Sequence, residues 1–208
     1  TGGQENPTTG KSLRGEPAAP GEDGLVRGVI RFSGFLKQHG FKVFPSSVAE
    51  ALRALEDSGV QLELVEQPVR GEDIIGLKYV TDRVTTPVMA DESSFGPQEC
   101  FELINMRAAD IINIKLMKTG GLSNAVRVAD IAGVYGAECM IGCMLESSIG
   151  VAAAAHIAAA KSSVITRVDL DTPSLGEFDP VSSGVRFDNA EITISDAPGL
   201  GITAIESL

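Results

Sequence analysis

The sequence predicts an α/β fold built from repeated strand and helix units, and three observations carry that prediction. From Ser46 onward, short apolar runs alternate with segments of helical period, giving five strands separated by helices. The residues that close those runs recur at near-constant spacing: Glu66 to Asp91 is 25 residues, Asp91 to Lys115 is 24, and Lys115 to Cys143 is 28. That is close to the length of one βα unit. Such units with short connections force parallel strands and right-handed crossovers, in an open doubly wound sheet or a closed βα barrel. Both architectures place function at the carboxyl ends of strands.

Each element has a local reason. Ser46 or Ser47 is expected to cap a helix in which Val48, Leu52 and Leu55 recur at helical spacing, with Gly59 just past its end. The strand QLELVEQP follows, then a helix over roughly Asp73 to Asp82 and the strand TPVMADES. Pro97 opens a helix carrying Phe101, Ile104 and Met106, and the strand DIINIKLM comes next. A helix capped at Ser123 and ending near Gly136 leads to the strand ECMIGCML. The alanine-rich helix GVAAAAHIAAAK then leads to the strand ITRVDLD, and VRFDNAEITISDAPGLGI reads as a short β tail. Residues 1–23 are rich in Gly, Pro and Thr with almost no apolar periodicity, and residues 24–45 hold only strand-like pieces at Leu25 to Phe32. The expected organisation is therefore an atypical, poorly ordered segment over 1–45 and a regular domain of βα units with its β tail over 46–208.

Bulk properties exclude several classes of partner. With 208 residues, 43% of them hydrophobic, the chain holds enough apolar material for one sizeable core. A net charge of −11 gives no footprint for nucleic acid or for an anionic membrane surface, both of which demand clustered Lys and Arg. Cys100, Cys139 and Cys143 form neither a disulfide framework nor a spaced zinc site, which suits a reducing cytoplasm. No signal peptide or apolar run near the membrane-spanning length of about 18 residues is visible.

The charged strand ends are the functional signal. A buried charge costs several kcal/mol unless it is paired, hydrogen-bonded or bound to metal. The two-residue period puts Leu62, Leu64 and Glu66 on one face, Met89 with Asp91 on another strand, and Ile111, Asn113 and Lys115 on a third. If those faces point inward, two carboxylates and an ammonium converge. Neighbouring carboxylates repel, and hard oxygen ligands suit magnesium. A lysine beside a bound cation can have its pKa lowered enough to serve as a base at neutral pH.

Taken in order, ELVEQP, MADES, INIKLMKTGG and RVDLD resemble the enolase superfamily, its muconate-lactonizing subgroup, and within it the dipeptide epimerases, over about Ser46 to Ile202. The resemblance implies the C-terminal part of an enolase-superfamily (β/α) barrel, about five βα units, and Mg2+ as cofactor. It also implies epimerisation of a dipeptide substrate by α-proton abstraction and return through an enediolate. On the matching positions, Glu66 and Asp91 would be metal ligands and Lys115 one of two acid/base lysines. Asp169 and Asp171 would hold the α-ammonium of the substrate's first residue, with Cys143, Met144 and Leu145 lining the pocket beside them. Lys118 is expected on a solvated loop, and His156 in a structural role.

The departures from the family pattern matter as much. The resemblance calls for a Lys-x-Lys on the second barrel strand and an Asp-Ala-Asn on the third, and neither is present. Gln38 stands near the expected aspartate, and Lys37 and Lys42 are five residues apart, a spacing that puts them on opposite strand faces. One metal ligand and the second base are thus missing, which implies impaired epimerisation. Two alternatives stay open: a catalytically inactive barrel fragment, surviving through self-association as a homo-oligomer or as an unstable fragment, and another reaction of the subgroup, such as cycloisomerisation or acylamino acid racemisation.

Overall fold

The computed structural model describes residues 5–6, 11–12, 27–31, 44–175, 178–181, 183–188 and 191–206. Of the N-terminal expectations, most of 1–23 and the positions Lys37, Gln38 and Lys42 lie outside these residues. Two-residue strands β1 (Glu5–Asn6) and β2 (Lys11–Ser12) pair antiparallel. The strand expected within Leu25 to Phe32 is present as β3 (Arg27–Arg31).

The chain divides into two compact units, with boundaries after Ser93, Phe101 and Ile111. In the first, α1 (Pro45–Asp57) precedes β4 (Gln61–Glu66), α2 (Ile74–Thr81) and β5 (Val88–Ala90). Helix α1 starts at Pro45 with Phe44 at the N-cap, so the expected cap at Ser46 or Ser47 is corrected. Proline lacks only an N–H that the first turn cannot use, and its fixed φ suits the start. Gly59, at φ +84°, ends this helix as expected, in a conformation that disfavours any Cβ. Helix α2 has the expected bounds because Asp73 Oδ1 accepts the Gly76 N–H at 2.8 Å, and Asp82 is its C-cap. The sheet order β3-β4-β5 is parallel, with Arg31 opposite Glu66 and Glu66 opposite Met89. Leu52, Leu64, Leu77 and Met89 are fully buried in its core. Burial in β4 runs through Leu64, Val65 and Glu66 consecutively. Both faces are therefore covered at that end, as in parallel sheets.

Helix α3 (Pro97–Met106) crosses the boundary between the units, and β6 (Ile111–Lys115) begins at it. The second unit continues with the short helix α4 (Leu116–Thr119), α5 (Leu122–Tyr135), β7 (Glu138–Gly142), α6 (Ser148–Ala160) and β8 (Ile165–Asp169). Leu116 and Met117, expected in the strand, turn instead into α4, where Thr119 Oγ1 reaches the Lys115 carbonyl at 3.1 Å. The cap of α5 is Gly121 rather than Ser123; its φ of 102° is open to glycine. Strands β7 and β8 are parallel, with Gly142 opposite Asp169. The tail forms an antiparallel hairpin of β9 (Val185–Asp188) and β10 (Glu191–Ile194). Among the described residues no helix is long and apolar enough to cross a membrane.

Candidate active site

In the first unit, Glu66 is the last residue of β4 and Asp91 directly follows β5. Register puts Glu66 beside Met89, so the two-residue period brings Glu66, Met89 and Asp91 to one face. Each carboxylate is 5% exposed, and these are the two buried acidic or basic side chains among the described residues. The segment around them is polar as well as buried: Gln67 and Ser93 are both enclosed. Gln67 bridges the two strand ends, since its Oε1 accepts the Asp91 N–H at 2.8 Å and its backbone N–H donates to Met89 O at 2.8 Å. Glu92, the next acid along, is exposed.

The second unit carries the lysine and the Asp-x-Asp. Lys115 is the last residue of β6 and half-buried, and Asn113, two residues earlier on the same face, is buried. On β7, a Cβ at Gly142 would stand 2.9 Å from Asn113 Oδ1 and 3.1 Å from Lys115 Cε. Glycine at this position leaves the space that both side chains occupy. Lys118, expected on a solvated loop, is part-buried and donates to the Asn113 carbonyl at 3.2 Å.

Asp169 ends β8, and Asp171 lies two residues beyond it rather than within the strand. The intervening Leu170 is buried while both acids are half-buried, so the alternation expected of VDLD continues past the last strand residue. Cys143, just after β7, points its Sγ at Asp169 O, 3.5 Å away, and accepts from Thr172 Oγ1 at 3.3 Å. Burial raises the Cys143 thiol pKa against the opposing pull of the Thr172 hydrogen bonds. Met144 and Leu145 are exposed. Leu145 lines a concavity of about 240 Å3 with Glu146, Ser147, Thr172, Pro173, Phe178 and Asp179. Asp179 accepts the Ser148 N–H at 3.2 Å and the Ser148 hydroxyl, holding the start of α6. His156 Nδ1 lies 2.8 Å from Ala152 O within its own helix.

The donor chemistry fits a hard divalent cation in kind: two carboxylates at adjacent strand ends, with no thiolate or imidazole among them. Magnesium is often held by one or two carboxylates with waters and substrate completing its shell. Among the described residues no group of three or more His, Cys, Asp or Glu is placed to hold a metal ion.

Residues 42–208 match the sequence family described as Enolase C-terminal domain-like. The chain belongs to the enolase C-terminal domain-like family. Its relatives include the L-Ala-D/L-Glu epimerase of Clostridium acetobutylicum, 52% identical over 163 residues that cover 78% of this chain and 45% of that protein. Among solved structures, a substrate-liganded complex of the Bacillus subtilis L-Ala-D/L-Glu epimerase superposes with a TM-score of 0.79 at 42% identity, covering 88% of this chain and 48% of that one. The Enterococcus faecalis dipeptide epimerase complexed with Mg and the dipeptide L-Leu-L-Tyr gives a TM-score of 0.74 at 43% identity, covering 88% and 49%. This enolase C-terminal domain-like chain spans about half the length of the relatives it matches. Its fold is the C-terminal barrel portion of theirs, as the ordered motifs implied.

Sequence reasoning missed Gln67 and Gly142. The only local signals were an amide next to a strand-end carboxylate and a glycine closing an apolar strand, each uninformative without its partner from a distant segment.

Proposed function

We propose that this chain acts on dipeptides by magnesium-dependent exchange of the α-proton, the half of an epimerase reaction that its own residues can perform. The observation that carries the reading is the enclosure of Glu66 and Asp91 at successive parallel strand ends, a pair of hard oxygen donors of the kind magnesium takes. Glu66 and Asp91 would hold the metal. Bound there, magnesium would draw electron density from a substrate carboxylate and so acidify the adjacent α-proton.

Lys115 would then take that proton on Nζ. The electron pair of the broken C–H bond spreads into the neighbouring carboxylate, and the lysine ammonium exchanges with solvent before returning a proton to the same face. The aliphatic stem of Lys115 runs past Gly142 through space that any Cβ there would crowd. Asp169 and Asp171 would receive the ammonium of the substrate's first residue, since a cation between two carboxylates is well matched. Cys143, Met144 and Leu145 would form the adjoining wall. Lys115 serves one face of the substrate, so exchange through this residue alone should proceed without inversion. A site of this kind, with three free cysteines, suits a reducing cytoplasm.

A panel of dipeptides and N-acylated amino acids in deuterated water, read by mass spectrometry, tests the substrate class. Deuteration confined to dipeptides supports the reading, and deuteration confined to N-acylated substrates overturns it in favour of another reaction of the subgroup. An inactive half-barrel, the competing reading, predicts no deuteration of either class.

A further inference from the structure

Gln67 is built more deliberately than a residue in a simple turn. Its φ is +40°, a left-handed value shared among the described non-glycine residues only by Arg107. Its side chain is fully buried, and burying an unbonded amide is costly. Every hydrogen-bonding site of that amide is used. Oε1 accepts from Asp91 N at 2.8 Å and Ser93 N at 3.2 Å, while Nε2 donates to Ser93 Oγ at 2.8 Å and Val69 O at 3.2 Å. Ser93 Oγ in turn donates to Gly71 O at 2.8 Å. The two segments approach so closely that a Cβ on Gly71 would sit 2.7 Å from Glu92 O. A left-handed backbone at a non-glycine residue persists only where its surroundings hold it.

We infer that Gln67 is a positioning residue: it locks the backbone of Glu66, to which it is bonded, against that of Asp91, so that the two carboxylates present one fixed geometry to a divalent cation. The inference rests on the metal-binding reading above. Magnesium tolerates little departure from an octahedron with bonds of about 2.0–2.1 Å, so a small loosening of the two strand ends should weaken its binding out of proportion to any loss of fold stability.

The test uses the isotope-labelled 208-residue chain and its Gln67→Asn variant. Asparagine keeps the amide and tolerates positive φ, but it is one methylene too short to span the gap. Solution NMR reads amide exchange without metal and chemical shifts during a titration with magnesium chloride. The expected result is faster exchange at Asp91 and Ser93 by about tenfold, together with a magnesium dissociation constant raised about tenfold, a change of about 1.4 kcal/mol. Glu56→Gln, which loosens the Thr85–Thr86 lead-in to β5 rather than the strand end at Asp91, should leave that constant within about twofold. If Gln67→Asn does not fold, Ser93→Ala, which removes one of the four amide bonds, is read in the same way. Unchanged exchange at both amides would overturn the clamp. Faster exchange with unchanged magnesium affinity would overturn its link to the metal. A wild-type chain that takes up no magnesium overturns the metal reading itself, an outcome seen in the wild-type titration alone.

Discussion

Gly142 gives Lys115 its path: the lysine Cε lies 3.1 Å from where a Cβ on Gly142 would stand. The residue that ends β7 is therefore part of the environment of the proposed base, although it carries no side chain. Gly142→Ala should push Lys115 and Asn113 aside by a few tenths of an ångström, lowering α-proton exchange by about tenfold. The melting temperature should fall by no more than a few degrees. Exchange within about twofold of wild type would show that the lysine does not depend on this gap.

Asp169 and Asp171 should select for a free N-terminal ammonium. Asp169→Asn is expected to raise the KM for dipeptides at least about tenfold, the scale of a lost charge-assisted hydrogen bond, while N-acylated analogues change little. Steady-state kinetics on matched substrates decides this. Equal losses for both classes would remove the ammonium role.

Much of this architecture was legible because the rules behind it are local. Asp73 and Asp82 bound α2 through capping, Gly59 and Gly136 end helices in left-handed conformations, and Glu66 and Lys115 close their strands where apolar runs stop. The misassigned caps at Ser46, Ser47 and Ser123 arose because Pro45 and Gly121 start those helices through backbone geometry rather than a side-chain hydrogen bond. The Gln67 clamp was illegible for a different reason. Its partners Asp91 and Ser93 are 24 and 26 residues away, and no periodicity reports a contact between loops at that separation.

Glu56 supplies a pH-dependent element of stability. Burial pushes its pKa up, but hydrogen bonds from Thr86 N at 2.7 Å, Thr86 Oγ1 at 2.6 Å and Thr85 N at 2.9 Å outweigh that effect and hold it below the ordinary value. The folded state thus binds this proton less readily than the unfolded state. The stabilisation is complete above the unfolded pKa, about 4.3, and is lost as pH falls through the lower folded value. Glu56→Gln should cost about 1–2 kcal/mol at pH 7 and flatten the acid limb of the stability curve in urea denaturation. An unchanged acid limb would contradict this.

The three thiols should react in a fixed order. Cys100 and Cys139 are fully buried; burial pushes the Cys100 pKa up to about 12 and that of Cys139 higher still. Half-buried Cys143 should label first with a thiol reagent, faster as pH rises, and the other two only after denaturation. Labelling of Cys100 in the folded protein at the rate of Cys143 would contradict the packing described.

The proposed role of Lys115 is to move the α-proton of a dipeptide in a site that needs a divalent cation. The most direct measurement is proton NMR of an L-Ala-L-Glu solution in deuterated water with the purified chain and magnesium. The same sample is then repeated with a chelator and with Lys115→Ala. The α-proton signal should be lost slowly without conversion to the other epimer, and either change should abolish that loss. Exchange that survives chelation or the substitution would contradict it, as would a wild-type chain that exchanges nothing or interconverts both epimers efficiently.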